Sequence, residues 1–248
     1  MIISKSNEYI KHIKSLSQKK YREEHKEFIV EGIKLVKEAL NEKLNIKKII
    51  VCEELFKEKI DFKDIEYVDE KIFKYISDTE TPQGILAIVS QKENMIEEGD
   101  VIFALDNVQD PGNLGTIIRT LDCAGIHSLI LSEGCADVYN TKVVRSTMGA
   151  IFRVNIIRHK KITEKLLELK EKGYKIIVTS LETNENLYDL DFSKKSIVVI
   201  GNESKGVSKD ILDIADIKTK IPMLGRTESL NAGVAASIIA YEVVRQKL

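Results

Sequence analysis

The sequence predicts an α/β protein of two consecutive domains, a small α/β sandwich over residues 1–95 and a larger parallel-sheet domain over 96–248. Three observations carry that expectation. Short apolar runs alternate with helically spaced apolar residues between 28 and 90. A polar stretch at 91–99, Gln-Lys-Glu-Asn-Met-Ile-Glu-Glu-Gly, then interrupts the pattern and reads as a linker. A second alternation begins at Val101, with strands apolar enough to be covered on both faces, as in a parallel sheet flanked by helices.

In the first domain, Phe28-Ile29-Val30 reads as a strand, followed by a helix through Ile33, Leu35, Val36 and Leu40. A strand at 48–52, a short helix near Leu55, a strand at 65–68, a helix at 70–76 and a strand at 84–89 complete it. In the second domain a strand at 101–106 is followed by strands at 128–131, 152–157, 175–180, 196–200 and around 217–221. Helical segments separate them. One covers 162–172 and is expected to hold Ile162, Leu166, Leu167 and Leu169 on a single face.

Composition narrows the class. The chain has 248 residues, 43% hydrophobic and 31% charged, with a net charge of −1, so it is not a uniformly basic nucleic-acid binder. The charge is uneven, however. Residues 1–22 carry Lys5, Lys11, Lys14, Lys19, Lys20 and Arg22 against a single acid, Glu8, a local excess of five. Cys52, Cys123 and Cys135 show no paired spacing and read as reduced thiols, not as a disulfide framework or zinc site. The histidines His12, His25, His127 and His159 are isolated in sequence and read as surface or packing residues, so no metal centre is expected. No apolar run approaches ~20 residues and the amino terminus lacks an apolar leader core, so the expectation is a cytoplasmic protein without a membrane contact.

Three segments carry the polar groups of a site. Residues 105–120 read as a strand end, a turn at Asp110-Pro111-Gly112 and a helix from Asn113 that includes Arg119. Residues 196–208 read as a strand end followed by Gly201, Glu203 and Gly206; Val207-Ser208 stands where a phosphate-binding loop needs Lys followed by Ser or Thr, so an NTPase is disfavoured. Residues 221–242 place Ser229 and Asn231 at the start of a helix rich in Ala, Gly and Ser, suited to close packing. Beyond the carboxyl ends of parallel strands is where such folds bind ligands. There is no G-x-G-x-x-G, H-E-x-x-H or G-x-S-x-G, which disfavours dinucleotide enzymes, zinc proteases and serine hydrolases.

Taken in order, these segments resemble the motif set of the SpoU (TrmH) family of RNA ribose methyltransferases, within the SPOUT superfamily. Asn113-Leu-Gly-Thr-Ile-Ile-Arg119-Thr is similar to motif one, Gly201-Asn-Glu203-Ser-Lys-Gly206 to motif two, and Ile221-Pro-Met-Leu-Gly with Ser229-Leu-Asn231 to motif three. Residues 1–95 resemble the ribosomal-protein-like substrate-binding domain that precedes many such catalytic domains. One departure is visible: Thr147 stands where the family commonly has Ser.

The resemblance implies a trefoil-knotted catalytic domain over 96–248, dimerisation through that domain, and S-adenosylmethionine as cofactor. It implies that Gly201, Ile221 and Leu230 hold the cofactor through backbone groups, with Thr179, Ser180 and Leu181 forming another wall. Asn113, Arg119, Glu203, Ser229 and Asn231 would face the reacting ribose. Arg119 is expected to bind the adjacent phosphate and stabilise the developing alkoxide, because a guanidinium is a poor base. Glu203 is either the proton acceptor or the residue that orients Arg119. Lys11, Lys14, Lys19, Lys20, Arg22 and Arg145 are the candidate RNA contacts. The expected substrate is structured RNA, 23S rRNA ahead of tRNA; the alternatives are a non-catalytic RNA-binding protein and an enzyme using another nucleotide cofactor.

Overall fold

The computed structural model of the protein describes residues 2, 4–93 and 95–248. It divides into two compact units. The first comprises Met1–Glu93 together with Asp137–Phe152, the second Asn94–Ala136 with Arg153–Leu248. Residues 137–152 thus belong by contact to the amino-terminal unit, although they lie within the second domain of the sequence.

The first unit opens with helices α1 (Glu8–Ser15) and α2 (Lys19–His25), which the apolar pattern above left unassigned because only Ile10, Ile13 and Leu16 mark the buried side. Asn7 caps α1, accepting from the Tyr9 and Ile10 amides. The unit continues with β1 (Glu27–Glu31), α3 (Ile33–Asn41), β2 (Ile46–Val51), β3 (Ile65–Tyr67), α4 (Glu70–Ile76) and β4 (Ile85–Ser90). The sheet order is β1-β4-β2-β3, with β4 antiparallel to both neighbours and β2 parallel to β3. The apolar faces of α1 and α4 cover it, closing a core of Ile10, Ile13, Leu16, Ile29, Ile50, Ile72, Phe73, Leu86 and Ile88.

Three expectations are corrected here. The helix near Leu55 is a turn in which the Leu55 and Phe56 amides both donate to the Cys52 carbonyl, since the charged residues around it supply no second apolar turn. The histidines are not all isolated in space: His12 Nε2 lies 2.8 Å from Glu27 Oε2, and the His12 ring meets His25 edge-on at 4.7 Å. Arg22 is no phosphate contact. It is 3% exposed, donating from Nε and Nη2 to Asp137 Oδ2 at 3.0 and 2.5 Å and from Nη1 to the Leu16 carbonyl at 2.7 Å. A cation so enclosed serves the fold, and its partner Asp137 is among the residues that join this unit from further along the chain.

That joining segment carries α6 (Thr141–Ser146). Its Thr141 hydroxyl donates to Asp78 Oδ2 at 2.6 Å, and Tyr139 packs on Phe28 with ring centroids 4.6 Å apart. Thr147 is fully buried and its hydroxyl donates to the Val144 carbonyl at 2.8 Å, so the departure from Ser adds a buried methyl and keeps the hydrogen bond.

The second unit contains β5 (Val101–Leu105), α5 (Pro111–Cys123), β6 (Ser128–Ser132), β7 (Asn155–His159), α7 (Ile162–Glu171), β8 (Lys175–Thr179), β9 (Ser196–Ile200), α8 (Lys209–Ile214), β10 (Ile217–Thr219) and α9 (Ala232–Lys247). Its six strands run in the order β10-β8-β9-β5-β6-β7 and every neighbouring pair is parallel, as the strand composition predicts. The strand expected at 152–157 starts later, at Asn155, after a single tight helical turn over Ala150–Phe152. On α7, Leu167 is 42% exposed and leaves the face shared by Ile162, Leu166 and Leu169, because at about 100° per residue it points well away from them.

Candidate active site

Chain order in the sheet reverses between β5 and β9, and the loops after β8, β9 and β10 open a cleft of about 450 Å³ at their carboxyl ends. The cleft is lined by Thr179, Ser180 and Leu181 after β8, by Gly201 and Glu203 after β9, and by Ile221, Ser229 and Leu230 after β10. The six residues expected to form the cofactor walls therefore come together. Asn113, Arg119 and Asn231 are not among its lining residues, but two of them are tied to it by hydrogen bonds.

Gly201 is where the cleft demands a glycine. A Cβ there would lie 2.2 Å from the Gly206 carbonyl carbon and 2.3 Å from the Val207 nitrogen, both backbone atoms. The strand end and the loop that returns over it are thus in contact at the peptide level. Asn202 organises that loop. Its amide and carbonyl exchange hydrogen bonds with Gly206 at 3.1 and 2.8 Å, and its side-chain oxygen accepts from the Ser204 and Lys205 amides. Its side-chain nitrogen donates to the Asn107 carbonyl at 2.9 Å, tying motif two to the turn that leads into motif one.

One polar side chain from each of the three motifs joins a relay. Asp110 caps α5 by accepting from the Asn113 amide at 2.7 Å, which sets Asn113 on the first turn. Asn113 Nδ2 donates to Glu203 Oε1 at 2.5 Å, and Asn231 Nδ2 donates to Asn113 Oδ1 at 2.8 Å. Asn231 also caps α9, its oxygen accepting from the Gly233 and Val234 amides. With both ends of the Asn113 amide engaged, Glu203 is held by one oxygen. Helices α5 and α9 pack closely enough to keep the relay: a Cβ on Gly233 would sit 3.3 Å from Thr116 Cγ2, and the Thr120 and Ser237 hydroxyls lie 3.0 Å apart. Arg119 lies on α5 about 9 Å beyond Asn113 along the axis. It is exposed and makes no hydrogen bond or ion pair with any described residue.

Sequence reasoning missed the support beneath these groups. Asp106, 2% exposed, accepts from Asn107 Nδ2 and from the Ser208 amide. Asn107 adopts a left-handed conformation with φ 57°. Arg158 on β7 donates to four backbone carbonyls, those of Ser132, Glu133, Cys135 and Ala136, at 2.6–3.2 Å. The loop it holds contacts the strand end and turn that lead into motif one, through the Ala136 amide on the Val108 carbonyl and the Cys135 thiol on the Leu105 carbonyl. Burial pushes the Cys135 thiol up in pKa, which keeps it a protonated donor. Left-handed Asn107 in the turn after a strand was the available signal; nothing in the local sequence marked Arg158.

In the first unit, Lys11, Lys19 and Lys20 are exposed and Lys14 is half-buried; Lys19 pairs with Glu23 at 3.5 Å. Arg145 on α6 is half-buried, and its Nη1 is buried with no hydrogen-bond partner among the described residues.

Comparison with known proteins decides the family. Residues 100–241 match the SpoU rRNA Methylase family and residues 7–87 match an MRM3-like substrate binding domain. The chain belongs to the SpoU rRNA methylase family. A Bacillus subtilis relative, 23S rRNA (guanosine(2553)-2'-O)-methyltransferase RlmP, is 35% identical over 98% of both chains. The AdoMet-bound rRNA methyltransferase from Sinorhizobium meliloti superposes with a TM-score of 0.88 at 32% identity, covering 100% of this chain and 98% of its own. The TrmH/SpoU tRNA modifying enzyme of A. aeolicus, 34% identical with a TM-score of 0.53, matches 62% of this chain and 78% of its own. This SpoU enzyme is an S-adenosylmethionine-dependent RNA 2′-O-methyltransferase, and the non-catalytic and dinucleotide alternatives give way to that activity.

The residues present fit the cofactor. The cleft volume suits a ligand of that size, the Gly201 crossing leaves room where a side chain would intrude, and the backbone groups of Ile221 and Leu230 have no hydrogen-bond partner among the described residues.

Proposed function

We propose that this SpoU enzyme methylates a single ribose of 23S rRNA, with Glu203 accepting the 2′-hydroxyl proton and Arg119 holding the adjacent phosphate. The observation that carries the chemistry is the Asn231–Asn113–Glu203 relay. It engages Glu203 Oε1 and leaves Oε2 without a hydrogen-bond partner among the described residues, beside the cleft that Glu203 itself lines. S-adenosylmethionine, when bound, supplies the sulfonium methyl as electrophile. Thr179, Ser180, Leu181, Gly201, Ile221 and Leu230 are the cofactor walls. Ser229, on the cleft, and Asn231 orient the ribose side. Proximity supplies much of the acceleration, because a hydroxyl reacts only when aligned with the methyl. Arg119 has no partner among the described residues, and a guanidinium suits a phosphate and an incipient alkoxide better than proton removal.

The choice of 23S rRNA rests on the Bacillus subtilis relative, similar over nearly its whole length, and on the substrate-binding match at residues 7–87. The tRNA-modifying relative matches less of the chain. Two domains with RNA gripped by 1–95 and catalysis in 96–248, a trefoil knot in the latter and a cytoplasmic location accompany this reading. Among the described residues no helix is long and apolar enough to cross a membrane. Mapping 2′-O-methylation in cells with and without the gene tests the substrate. One 23S site should vanish on deletion; loss of a tRNA site instead would replace the 23S assignment.

The enzyme is further proposed to act as a homodimer through its catalytic domain. Val234 and Tyr241 on α9 are 46% and 53% exposed, one apolar stripe beside the α5 contact. Sedimentation should show a dimer that Tyr241→Glu dissociates. A wild-type monomer at micromolar concentration would refute it.

A further inference from the structure

We infer that Tyr21 on α2 and Tyr75 on α4 are two separate stacking points for unpaired RNA bases. The inference rests on the RNA-substrate reading above and names where and how an unpaired stretch is gripped. Two aromatic rings of this unit have lysine ammonium groups over them. Lys5 Nζ and Lys14 Nζ lie 4.6 and 5.4 Å from the Tyr75 ring centroid, and Lys20 Nζ lies 5.6 Å from that of Tyr21. The Tyr21 ring lies nearly parallel to that of exposed His25, at 12° and 6.4 Å, and His25 in turn meets His12. Both tyrosines are half-buried, so each ring is anchored and still reachable.

The charges of this unit divide into spent and unspent. Lys19 is paired with Glu23, Lys48 with Asp64 and Lys74 with Glu70. Lys5, Lys14 and Lys20, the three over the rings, have no acidic partner within ion-pair distance among the described residues, nor does Lys11. An ammonium group that has no acidic partner can shift from the ring to a phosphate as a base takes the π face, the combination that binds single strands without reading sequence. An apolar protein or lipid partner is poorly served: among the described residues, none of the exposed large apolar side chains lies on α1, α2 or α4. A continuous duplex would keep its bases stacked and leave the rings unused.

The two kinds of contact respond differently to salt, which separates them. With the full-length protein and oligouridylate as probe, Tyr21→Leu and Tyr75→Leu should each weaken binding about tenfold with an unchanged dependence on salt. Combined Lys5→Gln, Lys14→Gln and Lys20→Gln should instead lower the slope of log affinity against log salt by about 2. Tyr21→Phe and Tyr75→Phe keep the rings and should bind as wild type, which guards against a folding artefact. Wild-type affinity in both leucine variants, or equal loss in leucine and phenylalanine variants, overturns the stacking role of the two rings. Methyl transfer to rRNA by those same variants would show that the enzyme reading survives it, whereas no transfer to any RNA by the wild type would end the reading itself.

Discussion

Arg119→Ala is expected to lower turnover about a thousandfold while leaving S-adenosylmethionine affinity within twofold of wild type. Two facts separate those effects. Arg119 is not among the residues that line the cleft, so the cofactor loses no contact. It is exposed on α5 and has no ion-pair partner among the described residues, so the fold loses no such pair. What disappears is a fixed positive charge available to the RNA phosphate and to the oxygen as it loses its proton. Arg119→Lys restores the charge without the planar fork and should recover only part of the rate. Single-turnover kinetics with saturating cofactor, beside calorimetric titration of the cofactor, measure the two quantities separately. Full activity in the alanine variant would remove Arg119 from the mechanism.

Gly201→Ala should have the opposite signature, with cofactor affinity falling at least about tenfold and thermal stability falling with it. The added Cβ meets backbone at 2.2–2.4 Å, and no rotamer relieves a clash between main-chain atoms. The loop must lift from the end of β9, breaking the Asn202–Gly206 hydrogen bonds that shape it and moving Glu203 away from Asn113. Gly206→Ala provides the contrast. Its φ of 69° costs a side chain about 1 kcal/mol, but nothing lies within 4 Å of the added carbon. A Gly201→Ala protein that binds cofactor as tightly as a Gly206→Ala protein would mean the crossing is not what shapes the cleft.

What was legible in the sequence followed from period and from motif order. Stretches such as 197–200 and 101–105 are apolar throughout, and that alone demands burial on both faces and hence a parallel sheet. The polar residues of the three motifs were legible as a set, and the structure links Asn113, Glu203 and Asn231 although they are far apart in sequence. Helices α1 and α2 were not legible as elements because short helices with a narrow apolar stripe among lysines look like solvated chain. Arg22 was misplaced for a related reason. Local charge cannot show that Asp137, over a hundred residues later, enters the same unit and encloses the guanidinium. Arg158 escaped notice because its four partners are carbonyls, which carry no sequence signature.

The most direct measurement is methyl transfer by the purified protein from labelled S-adenosylmethionine to unmodified 23S rRNA, read by nucleoside mass spectrometry. One 2′-O-methylated nucleoside per RNA is the expected product, absent with Glu203→Gln and Arg119→Ala. Methylation on a base instead of a ribose, or equal ribose methylation by both variants, would contradict the assignment of this cleft and its relay.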